Sequence, residues 1–475
     1  MMNPDLPYTL TDADSIETYA KTLEGKSLKD VLGNEIVQTY SGKGKLGQIL
    51  EDLFFKYKPN SNAEPDFKEA GVELKTTPIK EIKGNFFSKE RLVFNIINFN
   101  EEHKEIFRTS SFWKKNQHLL LMFYLHDKDK IDLEYIFKII RLWEFPANDL
   151  KIIKDDWERI VAKIKSGKAH EISEGDSLYL GACTKGANNK SLRSQPFCDK
   201  MAMQRAFSLK SKYLNFIIEK SLKGEEIFVN KNDYPIILEI ENKVEEPFVS
   251  YKRTKTEELE PIIKSIDEYS KGETFEQYVV KKFQPYIGLT ENEIVISLQI
   301  KSSDAKSRYY DIAKAILGVT KRKIEEFEKA EVMMKTIRLE HSGALKESMS
   351  FPQIKYKEII NEDFWEDSYW HYALTRRFFL VVFQKDTQGN PVLQKVMFWT
   401  MPVQDLAVAE EFWQDTKQKI LNDDYERFWK ISDDKICHVR PKGINSQDMM
   451  ETPSGRVERK KCYWLNSAYI KKVIE

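Results

Sequence analysis

Asp66, Glu73 and Lys75 are the residues whose types and spacing suit chemistry. They lie in PDFKEAGVELKTTP, residues 65–78. Gly71 to Thr76 alternates apolar and polar side chains, the pattern of a half-buried strand. On a strand, side chains two apart share a face, so Glu73 and Lys75 point one way while Val72 and Leu74 enter a core. Asp66 stands seven residues before Glu73, across a bend expected at Ala70-Gly71. Two carboxylates suit a hard divalent cation such as Mg2+, which takes oxygen ligands. A lysine beside that cation can orient a water or stabilise developing negative charge. These are the parts needed to hydrolyse a phosphodiester. A D-x6-E-x-K spacing also arises by chance, most often on a solvated strand face, so the surrounding elements decide its meaning.

Those elements are legible in outline. Residues 12–32 have helical spacing, with Ile16, Tyr19, Ala20 and Leu23 on one side. Ser41-Gly42-Lys43-Gly44-Lys45 reads as a loop, either a connector or an approach to phosphate. A helix is expected from Leu46 to Tyr57, with Leu46, Ile49, Leu50, Leu53 and Phe54 as its apolar stripe. Glu51 borders that stripe, as a surface residue or as a carboxylate aimed at the Asp66 site. Leu92–Ile97 and Leu119–Leu125 read as buried strands, and 149–166 as a helix carrying Trp157, Ile160, Val161 and Ile164. Mixed strands and helices of this kind give an α/β layer architecture.

Composition sets the frame. The chain has 475 residues, enough for two or three domains, and 75 basic side chains balance 75 acidic ones. Net charge therefore says nothing about nucleic acid, and only local clusters can. No apolar run is long enough to span a membrane, and the polar, acidic N-terminus has no signal-peptide core. Cys183, Cys198, Cys437 and Cys462 are far apart and suit buried thiols in a reducing compartment. A cytoplasmic location is the expectation. Between Lys185 and Lys223, nine Lys or Arg residues stand against Asp199 and Glu219. This basic stretch is either a solvated helix face or a surface for phosphates and base edges.

The second half echoes the first in order. Residues 47–54 are echoed by 276–283, and 66–76 by 326–336. The apolar strand at 119–125 is matched by 378–383, residues 183–188 by 440–445, and Ala206-Phe207-Ser208-Leu209 by Cys462-Tyr463-Trp464-Leu465. Five weak echoes in one order indicate duplication. Glu51 becomes Val280, Glu73 becomes Met333 and Asp66 becomes Glu326. Valine and methionine cannot ligate Mg2+, so the second copy reads as dead in hydrolysis. It keeps Lys442 opposite Lys185 and adds Arg440. The expected organisation is 1–223 as the catalytic domain, 224–272 as a charged connecting region and 273–475 as a degenerate DNA-binding domain. An insertion at about 290–322 contains a helix around Asp311 to Leu317.

GVELKTTP after an upstream aspartate resembles the catalytic segment of the MutH family, which comprises the mismatch-repair nickase and related type II restriction endonucleases. The segments Ser88–Asn98, His170–Gly175, Thr184–Asn188 and Gln204–Ser211 resemble the two-copy restriction enzymes more than the single-copy nickase. The resemblance implies a restriction-endonuclease-like core, a mixed sheet flanked by helices and duplicated in tandem. It implies cleavage of double-stranded DNA before the G of GATC, with Mg2+ as cofactor. Asp66, Glu73 and Lys75 match the family's catalytic triple, Glu51 matches its upstream carboxylate, and a further family lysine falls near Lys89. Lys185 matches a lysine that contacts the recognition site. Asn188, Arg205, Ser208 and Lys210 in the first half, and Arg440, Lys442 and Trp464 in the second, are the remaining candidates for DNA contact. Cys183 and Ser208 depart from the nickase pattern, to which Arg440-Pro441-Lys442 is nearer.

On this reading Asp66, Glu73 and Glu51 hold Mg2+ against the scissile phosphate and Lys75 assists the attacking water. The dead copy binds a second recognition site and acts as an allosteric effector, and active copies self-associate on DNA about the palindrome's two-fold axis. A cognate DNA methyltransferase is expected in the same system, though not as a physical partner. The alternatives are a mismatch-repair-type GATC nickase and a non-enzymatic DNA-binding protein.

Overall fold

The computed structural model describes residues 6–33, 46–57, 64–186, 191–225, 233–239, 258–301 and 307–475, apart from 434, 444 and 446. The loop at 41–45 and Asn188 lie outside them, as does most of the charged connecting stretch. The chain divides into two compact units. The first comprises Met1–Ile172, Asp176–Phe275 and Glu328–Ala330; the second comprises Ser173–Gly175, Glu276–Phe327 and Glu331–Glu475.

In the first unit the alternating segment opens strand β1 (Glu73–Ile82), with Val72 and Leu74 buried in the core. Lys83 and Gly84, both at positive φ, turn the chain into β2 (Asn85–Ser88). Two such residues make the tight hairpin turn that matches strand twist. β3 (Leu92–Ile96) leaves this sheet. β4 (His118–Leu125) returns parallel to β1, and β5 (Ile136–Glu144) pairs antiparallel with β4. The sheet order is β2-β1-β4-β5. Leu119 to Phe123 are all fully buried, which is why β4 reads as a continuous apolar run.

Helices cover this sheet. Ala13–Ala20 and Leu46–Ile49 contribute Ile16, Leu46 and Ile49 to a core shared with Leu74, Leu120, Met122 and Phe137. The helix expected over 12–32 is broken: Ala13–Ala20 runs into a 3-10 turn, and Leu28–Leu32 is separate. The break has a cause. At Gly25 and Lys26 the backbone turns its hydrogen bonds to Phe137, joining the edge of β5. The helix Ala147–Lys165 buries Trp157, Ile160, Val161 and Ile164, as its spacing predicts. Asp156 on that helix is buried and accepts N–H groups from Leu178, Tyr179 and Leu180 at 2.7, 2.6 and 2.9 Å. It thereby fixes the entry to β6 (Leu180–Thr184). The hairpin of β7 (Leu192–Gln195) and β8 (Cys198–Met203) follows, then β9 (Arg205–Leu209). A second, antiparallel sheet has the order β3-β9-β6.

The second unit contains β10 (Met333–Leu339), β11 (Met349–Gln353), β12 (Phe378–Lys385) and β13 (Pro391–Trp399). Then come β14 (Cys437–Pro441), the hairpin of β15 (Met449–Glu451) and β16 (Val457–Arg459), and β17 (Lys461–Leu465). β10 is parallel to β12, which is antiparallel to β13, and a second sheet has the order β11-β17-β14. A helix over Val403–Leu421 follows β13. The aromatic core stacks Trp370 on Tyr463 at 4.6 Å, with Phe351 edge-on to Trp370. The helix expected at 311–317 is present as Arg308–Ile316. All four cysteines are free, and among the described residues no helix is long and apolar enough to cross a membrane.

Glu102 offers a test of packing in the first unit. Its carboxyl is 3% exposed and accepts the Trp157 indole N–H at 2.9 Å. Burial, then the charge of Glu105, raises its pKa to about 8. The folded state therefore holds a proton that the unfolded chain releases near pH 4.5. Stability falls as pH rises between those values and levels above about 8. Glu102→Gln keeps an acceptor for Trp157 and removes the titration. Its thermal midpoint is expected to gain on the natural chain from pH 5 to pH 8, by roughly 1–3 kcal/mol equivalent at the upper end. A constant difference across that range would contradict this assignment.

Candidate active site

The site begins with a tight loop. Phe67 and Val72 exchange backbone hydrogen bonds at 2.8 and 3.1 Å, closing a turn in which Gly71 has φ 67°. A glycine meets that left-handed backbone without a Cβ penalty. The loop folds Asp66 back over the start of β1. There the Leu74 N–H donates to Asp66 Oδ2 at 3.0 Å, and the Asp66 N–H donates to Glu73 Oε2 at 3.2 Å. Asp66 and Glu73 are only 6% and 2% exposed. Lys75, on the same strand face, places Nζ 2.6 Å from Glu73 Oε1. Lys115 Nζ lies 3.5 Å from the same oxygen.

Lys115 was not expected from sequence. It sits in the helix Ser111–Asn116, just before β4. Parallel pairing sets Glu73 opposite Leu119, so the residues entering β4 arrive at the same end of the sheet as the carboxylates. Only that pairing reveals Lys115. The signal available was a helix-terminal Lys114-Lys115 pair shortly before a buried strand. Lys89 is a correction. It is exposed beyond β2, with its backbone bonded to Pro78, and no side-chain contact joins it to the carboxylates among the described residues. The second lysine of the cluster is Lys115.

Glu51 stands on a π-helical turn, Leu50–Phe54, that continues the helix Leu46–Ile49. A Cβ on Gly47 would meet Thr76 Oγ1 at 3.6 Å and Glu51 Oε1 at 4.0 Å, so this helix runs close against β1. Burial first, then the charges of Asp66 and Glu73, raise the Glu51 carboxyl to about 7, with Lys75 and Lys115 opposing them. Glu73 is likewise pushed up to about 7 by burial, with Lys75 opposing and Asp66 adding. Among the described residues, no three His, Cys, Asp or Glu side chains form a closed metal-ligand set. The donors nevertheless fit Mg2+, which takes one or two carboxylates and completes its shell with water and substrate phosphate. A divalent cation would offset the burial and the neighbouring carboxylate charge that hold Glu51 and Glu73 up.

The candidate DNA contacts divide. Lys185 is half-buried, and its backbone bonds to Gln204. Arg205 donates to the Ala182 carbonyl at 2.7 Å, a tie from β9 to β6. Ser208 is fully buried in β9 and Lys210 is 6% exposed with Nζ on the Ser177 carbonyl at 2.7 Å. Those two are corrections: interior packing keeps them from presenting to a duplex. In the second unit Arg440 and Lys442 are exposed. Their cations lie 4.1 and 5.3 Å from the centre of the buried Trp464 ring, so that ring supports them from below.

A mixed sheet presenting acid, acid and lysine at the mouth of its second strand is the arrangement of a nuclease of the MutH type. The family model for the DNA mismatch repair enzyme MutH matches residues 55–156, which include the triple and Lys115. Over 97% of its length the chain is 36% identical to the type II restriction enzyme Sau3AI of Staphylococcus aureus, 98% of which is covered. It is 28% identical to the DNA mismatch repair protein MutH of Shewanella baltica over 38% of this chain and 79% of that protein. For the MutH of Actinobacillus pleuropneumoniae the identity is 27% over 38% and 76%. The chain belongs to the MutH-like type II restriction endonucleases, a family of site-specific deoxyribonucleases.

The geometry separates two lysines experimentally. Lys115→Ala is expected to lower the rate of DNA cleavage by roughly 10²-fold, the scale of losing one preorganised charge at a reacting centre. Lys89→Ala is expected to stay within about two-fold of the natural chain. Single-turnover cleavage at saturating enzyme checks both, and equal losses would return Lys89 to the site.

Proposed function

We propose that the chain cuts double-stranded DNA before the G of GATC by Mg2+-dependent hydrolysis, using its first unit. The buried cluster of Asp66, Glu73, Lys75 and Lys115 carries this reading. Asp66 and Glu73, with Glu51, would hold the cation, which supplies Lewis-acid stabilisation of the phosphate and lowers the pKa of a bound water. Lys75 bonds Glu73 and stands beside the reacting phosphate, where its ammonium orients the attacking water. Lys115 adds a second positive charge against the charge that develops in the transition state. The leaving 3′ oxygen takes a proton from solvent and the product keeps a 5′-phosphate. The reading places the enzyme in the cytoplasm, beside a cognate methyltransferase that protects host sites.

The second unit would be a copy without chemistry, occupying 273–475 after a connection at 224–272, with 1–223 as the catalytic part. Topology supports this. β10, β12 and β13 repeat the directions of β1, β4 and β5, and β11-β17-β14 repeats β3-β9-β6. Met333 faces Phe378 and Lys335 faces Leu380, as Glu73 faces Leu119 and Lys75 faces Leu121. Methionine thus stands at the position of the essential glutamate. Such a copy would bind another GATC and favour the cutting arrangement, with two catalytic copies meeting on the palindrome.

Digestion of unmethylated plasmid with Mg2+, beside Glu73→Ala, tests both parts. Double-strand ends before the G of GATC, absent in the variant, are expected. Nicks alone would favour a nickase, and intact DNA shifted in a gel would favour a binding protein. A two-site substrate is expected to be cut faster than a one-site substrate at matched site concentration, and equal rates would remove the effector role.

A further inference from the structure

The second unit gathers positive charge at the place where the first gathers carboxylates. Lys335 on β10 donates from Nζ to the Ser350 carbonyl at 3.3 Å, and Lys442 donates to the hydroxyl of the same serine at 2.7 Å. Ser350 pairs with Trp464 across β11 and β17, and Arg440 lies over that indole ring. Arg376, just before β12, stacks over Tyr372 at 4.3 Å and donates to its hydroxyl. Tyr372 in turn donates to Glu331 at 2.8 Å. The buried Arg376 Nε has no hydrogen-bond partner.

The charges here do not cancel. Lys75 in the first unit has Glu73 at 2.6 Å, whereas no carboxylate pairs with Lys335, Arg376, Arg440 or Lys442 among the described residues. Cations sharing a partly buried site, with Glu331 reached only through the Tyr372 hydroxyl, are unfavourable unless a further anion joins them. Burial, then Lys442 and Arg376, lowers the Lys335 ammonium to about 8. A bound anion would reverse that shift.

We infer that Lys335, Lys442, Arg440 and Arg376 form a pocket for a backbone phosphodiester of duplex DNA, with Lys335 as its anchor. The inference rests on the reading that the second unit binds DNA, and names the group it grips. Lys335 occupies the register position of Lys75. The phosphate held here would therefore correspond to the one cut in the first unit, bound by cations alone and left intact. Phosphate contacts position a protein without reading sequence, so the pocket would set register while other groups recognise bases.

The test uses the full chain silenced by Glu73→Ala, titrated with a short GATC duplex. This chain is expected to bind two duplexes. Adding Lys335→Met should weaken the second binding step about ten-fold or more and make its salt dependence shallower by about one ion. The first step should not change. The thermal midpoint should rise, because methionine fills the same space without an unpaired ammonium. Two duplexes bound with an unchanged second step would overturn the pocket and leave the effector reading standing. One duplex per chain would overturn the effector reading itself. If Lys335→Met lowers the midpoint instead, the exposed Lys442→Gln carries the test, and an unchanged second step there overturns the pocket. Millimolar inorganic phosphate that raises the midpoint as far as duplex does would assign the pocket to a free anion and overturn the DNA assignment.

Discussion

Keeping Glu73 at 2% exposure is the constraint around which the first unit is arranged. A carboxylate there must be neutralised, hydrogen-bonded or paired with cations. The backbone of Asp66 supplies one donor, and Lys75 and Lys115 supply charge. Each partner requires a different element. Lys75 needs the strand to run straight from Glu73, so that side chains two apart share a face. Asp66 needs the Gly71 turn to reverse the chain. Lys115 needs β4 to enter parallel to β1, because only then does the end of its helix arrive beside Glu73. The site is thus set by one hairpin-like loop and one strand pairing, with the covering helices supplying Glu51 and the dry surroundings.

Dry surroundings have a chemical consequence. Glu51 and Glu73 are both pushed up to about 7, burial being the largest cause in each. Lysines alone do not offset that burial, which leaves the cluster receptive to a further positive charge. The π-helical turn at Leu50–Phe54 belongs to the same arrangement. An extra residue in a helix turn re-aims one side chain, and here the turn carries Glu51.

The legible parts of the sequence were those governed by local periodicity. Alternation at Gly71–Thr76 gave a strand, the run at 119–125 a strand buried on both faces, and the stripe of Trp157, Ile160, Val161 and Ile164 a long helix. Parts governed by pairing between distant segments were not legible. Lys115 is forty positions beyond Lys75, and no spacing joins them before β1 meets β4. The family resemblance puts a further lysine near Lys89, but the β1–β2 hairpin ends at Ser88 and leaves Lys89 on the surface. The basic stretch was illegible in another way. Charge counting treats Lys210 and Lys212 alike, whereas Lys210 is buried against Ser177 and Arg205 ties two strands. A lysine's sequence does not say whether its ammonium faces water or a carbonyl.

The same physics bears on the second unit, whose strand directions repeat those of the first. Met333 stands at the register position of Glu73, and Lys335, two positions on, is partly buried with no carboxylate paired to it among the described residues. Two outcomes are open to such a lysine: replacement by an apolar residue, which would stabilise the fold, or use of its unpaired charge by an anion from outside. Lys442, Arg376 and Arg440 around it argue for the second, since each further cation makes an empty site less favourable and a phosphate-filled one more so. On the proposed reading, methionine in place of the acid would remove a cation site and leave an anion site. On that reading, the polarity of a single strand position would separate a unit suited to cutting a phosphodiester from one suited to holding it.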